Sequence, residues 1–112
     1  MTRSFLALVC GMFLLAGCAH VDVTKTAKGF VAPTNPNDVE ILMTRPERRY
    51  TELGTVTATG YAGTDTAKMH NGLRAKAAPL GANAVIITSS GHIPAGWGQT
   101  TQWANGVAIR WN

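Results

Sequence analysis

The chain has 112 residues, 46% of them hydrophobic, two cysteines and a formal net charge of +4. That length supports one small domain. The basic residues are spread along the chain, which reads as a solvated surface, with attraction to anionic lipid headgroups or peptidoglycan carboxylates as the functional alternative.

The N-terminus reads as a secretory signal. Met1 to Ser4 carry one positive charge, on Arg3. Phe5 to Leu15 form an apolar run far short of the ~20 residues that span a bilayer as a helix. The run ends in the small residues Ala16 and Gly17, as processing sites do. Leu15-Ala16-Gly17-Cys18 resembles the lipobox of bacterial lipoproteins. The resemblance implies signal cleavage between Gly17 and Cys18, a thioether-linked diacylglycerol on Cys18 and an amide-linked acyl chain beside it. Buried acyl chains at ~0.8 kcal/mol per CH₂ give stable anchoring. Ala19, in place of Asp, implies the outer membrane by analogy with lipoprotein sorting in Gram-negative bacteria. Cys10 leaves with the signal and Cys18 is acylated. The mature chain is then expected to carry no disulfide and no free thiol, although it faces an oxidising compartment. Thiol catalysis and cysteine-based metal binding are excluded on that reading.

Three segments follow: signal peptide 1–17, lipidated cysteine with a flexible tether 18–37, and a small domain 38–112. The tether is inferred from Gly29, Pro33, Asn35, Pro36 and Asn37 and from the lack of a sustained period. Within it, Val21-Asp22-Val23-Thr24 is an optional edge strand. Fully extended, the tether would reach at most about 65 Å.

The folded part reads as two strands, a helix and two more strands. Val39 to Met43 is a short β-like run stopped by Arg45-Pro46. Tyr50 to Thr59 is rich in Thr and Val, which suit a pleated surface. Leu53 and Val56 do not share parity, and a bulge at Gly54 would restore both to the core. Gly60 and Gly63 are expected to break the strand. Thr64 or Asp65 can cap a helix in which Met69, Leu73, Ala77 and Leu80 form one apolar stripe. Pro79 predicts a distorted last turn, and Gly81 suits the left-handed residue that ends it. Asn83 to Thr88 is apolar on both parities, as in a central strand. Gly106 to Trp111 alternates, with Val107, Ile109 and Trp111 on one side.

Between these last two strands, Ser89 to Asn105 reads as a long loop. Long loops in compact domains are often functional. The candidate interaction residues are His92, Trp97, Gln99 and Trp103. Trp97 is flanked by glycines, and tryptophan is enriched at interface hot spots with polar rims. Trp111, on a strand, is expected to cover a sheet face instead.

Tyr50-Thr51-Glu52-Leu53-Gly54-Thr55-Val56, Leu73 to Ala78, Leu80-Gly81-Ala82-Asn83-Ala84-Val85-Ile86 and Gly106-Val107-Ala108 together carry a family resemblance. They are similar to the small α+β domain of RcsF-like outer-membrane stress-sensor lipoproteins and to YbjQ-like domains. The resemblance spans residues ~38–112. It implies a ββαββ fold, one helix packed on a mostly antiparallel four-stranded sheet. RcsF-like domains are cross-linked by disulfides, which this mature chain lacks, so fold and envelope location carry over and the signalling role does not.

Catalytic and metal-binding patterns are not expected. His20, His70 and His92 show no HxH or HExxH spacing. Ser89-Ser90-Gly91 has no base at a recognisable spacing. The expectation is a non-enzymatic outer-membrane lipoprotein without a cofactor or metal, its domain in the periplasm. Its partners would be the membrane, through the lipid, and an envelope protein, with no role for nucleic acid. A small-ligand or peptidoglycan-binding module is the alternative.

Overall fold

A computed structural model describes residues 19–112. Gly17 and Cys18, the expected cleavage and lipidation positions, lie outside the described residues. The strands are β1 (His20–Lys25), β2 (Glu40–Leu42), β3 (Tyr50–Ala62), β4 (Ala84–Gly96) and β5 (Gln99–Trp111), with the helix α1 (Thr66–Ala77) between β3 and β4. They form one sheet in the order β1-β3-β5-β4-β2. Three neighbouring pairs are antiparallel, and β2 runs parallel to β4. The α+β class with a helix on a sheet holds. The sheet, however, has five strands and is mixed, where four mostly antiparallel strands were expected.

The added strand is β1. It pairs with β3 from His20↔Thr59 to Lys25↔Gly54. It is the edge strand that Val21 to Thr24 left optional, and only Val21 of the six residues is buried. The chain after β1 also stays on the domain. The Thr26 and Ala27 amides both donate to Leu53 O. Ala27 and Val31 pack against the core. The Thr34 amide donates to Ala78 O at 2.9 Å, and its hydroxyl donates to Ala82 O.

The helix follows its sequence pattern. Met69, Leu73 and Ala77 are buried along one stripe. Asp65 precedes the first turn without a side-chain capping bond. Pro79 lies in a 3-10 turn, Ala78–Leu80, and Gly81 closes it at φ +90°. A Cβ at Gly81 would stand 2.8 Å from Ala32 O, so the position is closed to side chains by both space and backbone.

Gly54 sits at the expected bulge. The β3–β5 register shifts between Glu52 and Gly54, and Leu53 and Val56 are both buried. Gly60 does not break the strand. At φ +76° it forms a second irregularity between Ala58 and Tyr61, and β3 continues to Ala62. Glycine lets the strand bend there without a Cβ penalty.

Two apolar layers flank the sheet. Under α1 lie Val21, Leu53, Val56, Tyr61, Leu73 and Val85 with a run of alanines. On the other face Ala84, Ile86 and Ile109 pack with Leu42, Tyr50, Val107 and Trp111. This explains why Ala84 to Ile86 is apolar on both parities. Trp111 covers the helix-free face as expected, and the Arg48 guanidinium lies 4.7 Å from its ring centroid. Asn83 Oδ1 accepts from the Trp111 amide at 2.8 Å, which ties the helix–strand turn to the last strand.

The expected loop 89–105 is a correction. It is the upper part of a long β4–β5 hairpin, paired from Ala84↔Ile109 to Gly96↔Gln99. Trp97 and Gly98 form its two-residue turn, at φ +56° and +72°. Positive φ at both central residues is what a type I′ turn requires, and its twist matches the strands. Most of these side chains are exposed, so the ladder is set by backbone pairing and left no hydrophobic period to read.

Candidate interaction arm

Both flanking strands stop short along this hairpin. β2 pairs only with Ala84 to Ile86, so among the described residues no strand lies beside the outer edge of β4 from Ile87 onward. On the other side, β3 ends at Ala62, opposite Thr101. The result is an arm. It is also uncharged: no Asp, Glu, Lys or Arg lies between Lys76 and Arg110.

The four candidate residues do not converge. Trp97 is at the tip with a relative exposure of 101%. Gln99 starts β5 and is exposed. Trp103 is half-buried opposite Gly91, on the helix-free face. His92 is opposite Gln102, on the face that carries α1, and is exposed.

Trp103 rests on a glycine. A Cβ at Gly91 would stand 2.9 Å from the indole Nε1 and 3.0 Å from Cε2. The ring therefore needs a bare backbone beneath it. On its open side is a groove of about 290 Å³ whose lining includes Thr57, Thr59, Ile93, Thr101 and Asn105. Gly60, at the β3 irregularity, keeps space beside the ring. Asn105 Nδ2 donates to Ser89 Oγ at 3.2 Å, which ties its amide to β4.

The opposite face holds a smaller cleft of about 160 Å³ between α1 and the arm. His70 and His92 both line it, with Met43 and Met69. Burial, and then the positive charge of Arg74, push the His70 pKa down, so the neutral ring is favoured. Among the described residues no three His, Cys, Asp or Glu side chains are grouped to hold a metal ion.

Gln102 is the residue the sequence reading missed. It is 4% exposed. Its Nε2 donates to Ala62 O at 2.8 Å, and its Oε1 accepts from Thr66 Oγ1 at 3.2 Å. It clamps the start of α1 to the root of the arm, with its hydrogen-bonding capacity met in the interior. Its parity with Ala104, Gly106 and Ala108, all buried, was the available signal.

The chain resembles a Francisella virulence factor, FvfA. The crystal structure of that protein in its orthorhombic form superposes with a TM-score of 0.57 at 14% identity, covering 81% of this chain and 98% of that one. At that identity the likeness shows the fold alone. No family model and no curated protein matches the sequence.

Proposed function

We propose that the chain is a non-enzymatic outer-membrane lipoprotein that engages an envelope protein through the side of its β4–β5 arm. In this reading it is a protein-interaction module of envelope maintenance or stress sensing, held by lipid on Cys18 with its domain in the periplasm, and its resemblance to RcsF-like domains bears on the fold alone. The observation that carries the reading is the uncharged arm, with an unpaired β4 edge and the glycine-backed Trp103 beside it. An open edge offers backbone donors and acceptors to an extended partner segment. A half-buried indole next to exposed Ile93 supplies the apolar anchor such contacts need.

A crosslinking residue placed at Ile93 tests this in cells. Capture of one defined envelope protein, lost when Trp103→Ala is added to a protein that stays folded, is the expected result. Unchanged capture in the folded variant removes the arm from the interface.

The second reading is a small-ligand or peptidoglycan-binding module. The threonine- and asparagine-lined groove beside Trp103 favours it, because ligand sites combine an aromatic wall with a few convergent polar groups. Retention on purified sacculi at moderate salt supports this reading, and failure to be retained eliminates it for peptidoglycan.

A further inference from the structure

The tip of the arm and the N-terminus of the described chain lie at the same end of the sheet. β1 begins at His20, which pairs with Thr59. Thr59 is next to Ala58, the partner of Ala104. Trp103 therefore stands at about the level of His20. From Trp103 the arm runs on through Gln99 to the Trp97-Gly98 turn. At ~3.4 Å per residue that is about 15 Å further along the strand direction. Cys18 precedes His20 by two residues, which span at most about 7 Å.

The arm thus outreaches the short link to the anchor. Where the strands stand upright on a bilayer, the tip passes the level of Cys18 by roughly 8 Å, which compares with an interfacial layer of roughly 5–7 Å per leaflet. The geometry points to insertion of Trp97 into the headgroup layer of the bilayer that holds Cys18. This deepens the proposed function and rests on its lipid anchor.

Three features of the tip fit a lipid surface. Ile93-Pro94-Ala95-Gly96-Trp97-Gly98 carries no ionisable side chain, so nothing charged must be desolvated. Tryptophan is the side chain enriched at bilayer interfaces, where an apolar ring and one N–H donor are both satisfied. Trp97 also sits at φ +56°, the only non-glycine residue at positive φ among the described residues. Asparagine or glycine would suit that position better. An exposed bulky residue held against its backbone preference calls for a functional reason, and contact with lipid supplies one.

The test uses the full lipoprotein, purified with its lipid and reconstituted into phosphatidylethanolamine–phosphatidylglycerol vesicles with brominated acyl chains. Bromine quenches tryptophan emission at short range. Wild type is expected to lose emission relative to unbrominated vesicles, and Trp97→Phe is expected to lose none. Trp103 and Trp111, both half-buried, remain in that variant as internal controls, and its exposed site makes misfolding no concern. Equal emission from wild type in both vesicles overturns the inference, as does quenching that persists in Trp97→Phe. A photocrosslinking residue at position 97 whose main adduct in cells is a protein, with lipid adducts minor, also overturns it. Mass spectrometry separates the two levels: a chain without lipid on Cys18 removes the anchor and the inference together, whereas a lipidated chain without quenching removes the inference alone.

Discussion

Gly72 lies in the middle of α1, where glycine costs about 1 kcal/mol relative to alanine. Helix propensity alone would make Gly72→Ala stabilising. The packing opposes it: a Cβ there would stand 2.3 Å from the Tyr61 hydroxyl oxygen and 3.1 Å from Val21 Cγ2. Tyr61 is buried, so its ring has little room to retreat. Overpacking of this kind costs ~1–3 kcal/mol. The expected outcome is a net loss of about 1 kcal/mol, read as a lower urea midpoint at unchanged m-value. His70 gives a second test. Its folded-state pKa lies below the ordinary 6.5, so the unfolded chain binds more protons over the interval between the two values. Stability from this group is complete above about pH 6.5 and falls as pH drops through the folded pKa. The thermal midpoint of wild type should therefore fall more between about pH 7.5 and about pH 5 than that of His70→Gln. His70 is partly solvated and the effect is small. Equal slopes would show that the ring titrates alike in both states.

At the scale of elements, the hairpin turn and β1 carry the tests. Trp97→Asn places a residue tolerant of left-handed backbone before Gly98, giving the Asn-Gly pair preferred in type I′ turns. Stability should rise by roughly 0.5–1 kcal/mol, measured by denaturant titration, while any contact made by the indole is lost. β1 sets the boundary of the folding unit. A chain beginning at Asp38 would lack Val21, the Ala27 and Val31 contacts and the three Thr34 hydrogen bonds. Compared with a chain beginning at Ala19, it should lose at least ~2 kcal/mol of stability. Circular dichroism melts of the two chains decide this, and equal midpoints would return residues 19–37 to the role of a tether.

These elements also show what was legible in the sequence. The helix was, because Met69, Leu73 and Ala77 repeat at helical spacing and Pro79-Leu80-Gly81 punctuates its end. The Gly54 bulge was, because Leu53 and Val56 had to share a core. β1 was legible only as an optional edge strand over Val21 to Thr24, since one buried valine is too little to fix its pairing. The arm was not legible, since its strands face solvent over much of their length and owe their register to a two-residue turn. Of the candidate residues, Trp97 and Trp103 were picked out by type alone. Sequence spacing could not tell that His92 and Trp103 lie on opposite faces, since that depends on a β4–β5 register with a shift between Ile87 and Ser89.

For the whole molecule, the proposed anchor governs everything else. Cys18→Ser should abolish incorporation of labelled palmitate and move the protein from the membrane to the soluble fraction. Palmitate labelling that persists in that variant refutes lipidation at this position. Among the described residues no helix is long and apolar enough to cross a membrane.

The start of β1 at His20 has a mechanical consequence. One residue, Ala19, separates the proposed lipid-bearing Cys18 from a six-residue ladder, so there is almost no slack between bilayer and domain. A pull that separates them along the strand direction loads the β1–β3 ladder in shear, with its backbone hydrogen bonds sharing the force. The domain would follow the membrane as a rigid attachment, and detaching it would require stripping β1 from the sheet. Val21 would then leave its place beside Gly72 and Tyr61, exposing the core under α1 to any force that lifts the domain from the lipid.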